Sequence, residues 1–163
     1  MVIDGEWRLS FEEGYPQIPA PVTMRELHSW TELPDTAATY FCGTALYEIL
    51  FDLPQFMQKK ERYLLDLGDV REAAEVFLND RYVGKCWSLP FEINIDPLLL
   101  KTNKNKLTIK VRNLDANRIR WMDINHVPWK NFFFVDVAYN SFDASQWEPV
   151  PSGLLGKIRL KSD

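Results

Sequence analysis

Two tryptophans, Trp121 and Trp129, sit among Asn117, Arg118, Arg120, Asp123, Asn125 and Asn131. A flat aromatic face can stack on a sugar ring, while amide, carboxylate and guanidinium groups bond the ring hydroxyls. This mixture marks Asn117, Arg118, Trp121, Asp123, Trp129 and Asn131 as candidate carbohydrate- or partner-binding residues. Packing is the competing use. In "FFFVDVAY", residues 132–139, Phe132, Phe134 and Asp136 would share one face of a strand and Phe133, Val135 and Val137 the other, so this run is expected to be buried. Asn113 and Asn117-Arg118 lie where a strand ends, and there a polar rim competes with capping and loop pinning by side-chain hydrogen bonds.

Hydrolytic chemistry is poorly supplied. Glycoside hydrolysis needs two carboxylates about 5–9.5 Å apart across a cleft. With 23 acidic residues, pairs arise by chance, but none sits in a recognisable catalytic motif, and no catalytic residue is expected. His28 and His126 are too few for a metal triad and too far apart in sequence for a convincing nucleophile–base pair. A structural calcium would draw on Asp66, Asp69, Asp115 and Asp123, but their spacing is not diagnostic, so no cofactor is expected. Cys42 and Cys86 lack metal-site spacing and read as two buried thiols; a bridge between them would need their Cα atoms within about 7 Å.

These candidates must be held by a scaffold, and the 163 residues suit a single domain spanning 1–163. A domain of about 150 residues buries roughly 70% of its unfolded surface, enough for a core without staples. The net charge of −4, with no basic patch, argues against a nucleic-acid partner. No apolar run approaches the ~20 residues of a membrane helix, so no membrane partner is expected. The opening "MVIDGEWRLSF" lacks a charged start followed by an apolar run, and no signal peptide is expected in it.

Strand signals dominate. Residues 5–11, 39–53, 62–68, 75–79, 81–87, 91–95, 105–114 and 153–161 read as about eight strands. Tyr47, Ile49, Phe51 and Leu53 share one face, as do Val76 and Leu78, and Leu107, Ile109 and Val111. Asn79-Asp80 suits a tight hairpin turn, because both residues tolerate positive φ. Asp96-Pro97 opens one helical turn. Residues 12–38, with Pro16, Pro19, Pro21 and Pro34, read as connecting chain, and "VREAAE" as a short turn. With almost no helical periodicity, the expected fold is all-β, an antiparallel jelly-roll β-sandwich. Residues 115–150 form a long loop before the last strand. It holds Trp121, Trp129 and Trp147, and it must fold over its own sandwich or cover a partner.

The order of motifs carries a resemblance. Leu67-Gly68-Asp69-Val70 is followed by Ala74, Val76 and Asn79, then by Val83-Gly84, Trp87 and Pro90-Phe91. Asn105, Leu107, Ile109, Val111, Asn113 and Asn117-Arg118 complete the series. This pattern resembles the galactose-binding-domain-like β-sandwich of glycoside hydrolases. It is similar to the module of family 2, and more closely to the C-terminal module of family 106 α-L-rhamnosidases. "GEWRLSF", "LHSWTELPD", "YFCGTALYE" and "WEPVPSGLLGKIRL" extend the likeness over nearly the whole chain. The chain departs from the pattern at Asp80 (turn glycine), at Cys42 (serine), and after Arg118, where Ile119-Arg120-Trp121 replaces a Gly-Asp step.

The resemblance implies a non-catalytic accessory module, with the reaction on a separate catalytic domain of a parent glycoside hydrolase that is secreted or periplasmic. The partners it implies are that catalytic domain and carbohydrate. It also implies that Trp87 fills a corner between the sheets. An independent, lectin-like carbohydrate-binding protein is the alternative.

Overall fold

The computed structural model describes residues 1–130 and 142–163. Among them run eleven strands: β1 (Trp7–Tyr15), β2 (Val22–Met24), β3 (Cys42–Phe51), β4 (Tyr63–Asp66), β5 (Val70–Arg71), β6 (Ala73–Leu78), β7 (Arg81–Cys86), β8 (Glu92–Ile95), β9 (Asn105–Arg112), β10 (Gly153–Leu154) and β11 (Arg159–Ser162). They form a six-stranded sheet in the order β2-β1-β3-β9-β6-β7, a three-stranded sheet β11-β4-β8 and a two-stranded ribbon β10-β5. Every pairing is antiparallel. The fold is the all-β sandwich expected.

Period-two patterning builds the core. Leu9, Tyr47, Ile49, Val76, Leu78, Leu107, Ile109 and Val111 from the large sheet meet Tyr63, Leu65, Ile93, Ile95 and Leu160 from the small one, all in one buried cluster. Burial removes the apolar surface of both inner faces from water at roughly 25 cal/mol per Å². Phe11, Trp30 and Phe41 close one end as a mutually edge-on triad with centroids 4.9–5.9 Å apart. The β6–β7 hairpin turns through Asn79 and Asp80, both at positive φ (52° and 62°), as a two-residue turn matched to strand twist requires. Asn79 adds an anchor, since its Nδ2 donates to the Leu99 carbonyl (2.7 Å) and its Oδ1 accepts from the Lys106 N–H (3.0 Å). The turn at Asp96-Pro97 forms, with the Asp96 carboxylate accepting from the Leu98 N–H.

Five expectations are corrected. The proline-rich connection contributes β2, which pairs with β1. "VREAAE" carries β5 and the start of β6 instead of a turn. Residues 36–40 form helix α1 (Thr36–Tyr40), so β3 starts at Cys42; the Asp35 carboxylate accepts from the Ala37 N–H (2.9 Å) and caps the helix. The long connection opens with helix α2 (Ala116–Ile124), whose apolar residues form no sustained stripe and so left no periodic signal. The closing strand is divided into β10 and β11, with Gly153 at φ +106°, where a Cβ would meet the Tyr47 hydroxyl at 2.2 Å.

A candidate carbohydrate- and partner-binding end

Helix α2 positions Asn117, Arg118, Trp121 and Asp123, but it puts them to different uses. Asn117 is buried. Its Nδ2 donates to the Val150 carbonyl (2.8 Å) and its Oδ1 accepts from the Val150 N–H (2.8 Å). Asn113, also buried, accepts from the Gly43 N–H (3.0 Å) and donates to the Phe41 carbonyl (2.9 Å) and to Ser152 Oγ (3.1 Å). Ser29 Oγ accepts from the Ser152 N–H (2.9 Å), joining the same network. Both asparagines thus pin the returning chain at 150–152, and neither amide is left over for a ligand.

Asp123 is an internal knot. Its side chain is only 5% exposed and pairs with Lys130 at 3.0 Å. It accepts from Trp129 Nε1 and from the Ala144 N–H, both at 2.7 Å. Burial alone would raise the Asp123 pKa; the Ala144 and Trp129 N–H groups and the Lys130 ammonium outweigh it and hold the carboxyl below its usual range. Trp129 is thereby tethered through its indole nitrogen, and its ring stands edge-on to Phe142 at 5.8 Å. Asp123, Trp129, Lys130 and Phe142 border an open hollow of about 730 Å³, with His126 and Gln146 on its rim. Asn131 and the 132–139 run lie outside the described residues.

The outer face of α2 is rich in arginine and aromatic groups. The Arg118 guanidinium lies 4.2 Å over the Tyr15 ring, and that of Arg120 lies 5.6 Å from the Tyr40 centroid. Arg120 Nε also donates to the Trp147 carbonyl. Tyr15 (59% exposed), Leu114 (53%) and Trp147 (41%) remain open to water here, and Trp121 is half-buried. The sequence reading missed Tyr15, Tyr40 and the exposure of Trp147, because only the fold brings residues 15 and 40 beside 118 and 120.

Trp87 requires a correction. It is 75% exposed, and Leu89 is 79% exposed. Phe91 joins the buried core cluster instead, and Trp87 stands beyond the end of β7.

Among the described residues, the carboxyls with resolved shifts, Asp66, Asp123 and Asp143, all move down, opposite to a general acid poised near neutrality. Of the calcium candidates, Asp66 pairs with Lys161, Asp69 with Arg71, Asp115 accepts from Cys42, and Asp123 is committed as above. Among the described residues, no group of three or more His, Cys, Asp or Glu side chains could hold a metal ion. Both cysteines are free and buried; burial, reinforced by the hydrogen bond to Asp115, pushes the Cys42 thiol up to about 12. No described helix is long and apolar enough to cross a membrane.

No family model matches the chain. The Formosa agariphila protein named "Putative beta-glucuronidase" is 37% identical over 120 residues, which are 73% of this chain and 10% of that protein. The solved rhamnosidase from Novosphingobium sp. PP1Y superposes over 98% of this chain with a TM-score of 0.75 at 26% identity, and the match occupies 14% of that enzyme. The Bifidobacterium dentium β-glucuronidase shares the fold over 68% of this chain, with a TM-score of 0.57 at 23% identity, and the match occupies 20% of it. The structural neighbours are therefore glycoside hydrolases, and this chain spans about a tenth to a fifth of the length of each of these three proteins.

Proposed function

We propose that this chain is a non-catalytic, galactose-binding-domain-like module of a glycoside hydrolase, a single unit over 1–163, that packs on a catalytic domain through its α2 end. One observation carries the reading: nearly the whole chain superposes on a minor part of a much larger rhamnosidase. The character of the α2 end supports it. Tyr, Trp and Arg are the residues enriched at protein–protein hot spots, and Tyr15, Trp147, Arg118 and Arg120 gather there with polar neighbours around them. In this reading Arg118 and Trp121 belong to the contact face, while Asn117, Asp123 and Trp129 hold that face in shape. Carbohydrate held near the partner's cleft would sit in the hollow beside Trp129.

The test is a graft. The matching segment of the Novosphingobium rhamnosidase is excised, and this chain is placed in the gap. The graft is expected to recover thermal stability relative to the excised enzyme, and Arg118→Ala with Trp147→Ala is expected to undo that recovery. A graft no more stable than the excised enzyme would overturn the reading.

A further inference from the structure

We infer a second saccharide site, on the outer face of the six-stranded sheet beside Trp87, that takes a sugar unit carrying a carboxylate. Register creates the hollow. Thr44, Arg112 and Ala73 lie side by side across β3, β9 and β6, and Glu75 lies between Lys110 and Lys85 in the neighbouring row. Ala74, Cys86 and Val111 are buried, so alternation sends Ala73, Glu75, Lys85, Lys110 and Arg112 outward. Ala73 and Thr44 are small, while Trp87 rises beyond the end of β7. The result is a groove of about 250 Å³ with one aromatic wall. That is less than the roughly 300–1,000 Å³ of a pocket for a drug-sized ligand, and it suits a single ring.

Charge selects the ligand. Lys110 is engaged by Glu12 at 3.0 Å. Among the described residues, Arg112, Lys85 and Glu75 enter no ion pair. The uncommitted charge is therefore positive. Arg112 offers a planar fork that matches a carboxylate, and Glu75 can accept from ring hydroxyls. A pyranose laid on Trp87 would bring both within its rim. A protein occupant fits less well, because interface cores are depleted of charge and Trp87 is the single large apolar side chain lining the groove.

The choice of a saccharide rests on the glycoside-hydrolase reading, but the two fail separately: the graft tests the α2 end, and the following titration tests the groove. The chain is titrated with an oligouronate and with a neutral oligosaccharide of equal length, following the tryptophan indole resonances. The oligouronate is expected to shift the Trp87 signal saturably and to bind more tightly than the neutral sugar. Trp87→Ala, whose amide spectrum should otherwise match the wild type because the side chain is exposed, is expected to weaken binding about tenfold, the scale of an aromatic stack. Arg112→Gln is expected to abolish the preference for the acidic sugar. Failure to bind either sugar, equal affinity for both, or full binding by Trp87→Ala would each overturn the proposal. So would weakening of the graft by Trp87→Ala with the resonance unmoved by sugar, which would give the surface to a protein contact.

Discussion

At the scale of single residues, the buried amides matter most. Asn113 satisfies the Gly43 N–H, the Phe41 carbonyl and Ser152 Oγ in one place. An unsatisfied buried group costs roughly 1–3 kcal/mol, so Asn113→Ala is expected to lower unfolding stability by about 2 kcal/mol or more. Chemical denaturation would show it as a lower midpoint at unchanged slope. Asp123 makes a pH prediction. Its folded pKa lies below the unfolded value of about 3.9, so the stability it contributes is present above that value and is lost as pH falls through the folded pKa. Acid titration of tryptophan fluorescence should show a step below the ordinary carboxylate range, and Asp123→Asn should remove it. The cysteines supply a third check. With Cys42 raised to about 12 and both thiols buried, neither should react with a thiol reagent at neutral pH until the chain unfolds.

At the scale of elements, the long strands and the Asp96-Pro97 turn were legible, while the short strands β2 and β5 and the helices α1 and α2 were not. The alternation Leu107, Ile109, Val111 announced β9, and Asn79-Asp80 announced its neighbouring hairpin, because period two and turn chemistry are local properties. Helix α2 is built from a sequence without an apolar stripe, and it is held by long-range bonds from Asn117 to Val150 and from Asp123 to Ala144, which no local pattern encodes. The same limit applied to the candidate site. By residue type, Asn117, Arg118, Trp121, Asp123, Trp129 and Asn131 form one polar–aromatic set, yet the fold buries the Asn117 amide, knots the Asp123 carboxylate and turns Arg118 onto Tyr15. The corner role of Trp87 is what the resemblance implies, and hydrophobicity alone does not show that Trp87 stands exposed while Phe91, four residues on, is buried. At this scale the account predicts that Gly153→Ala destabilises the β10–β5 ribbon, because positive φ and the Tyr47 hydroxyl both oppose a Cβ. A lower thermal midpoint with the far-UV spectrum retained would register it.

For the whole molecule, the inner faces make one continuous core, while exposed aromatic side chains stand away from it, Tyr15 and Trp147 at the α2 end and Trp87 beyond β7. In the proposed reading, this sandwich presents its α2 end to a larger enzyme. The central claim is that the chemistry of that enzyme lies outside this chain. The most direct measurement is turnover by the purified chain on a panel of aryl glycosides that includes α-L-rhamnosides and β-D-glucuronides. The account predicts no release above the uncatalysed rate. Saturable release that disappears when one carboxylate of this chain is neutralised would contradict it.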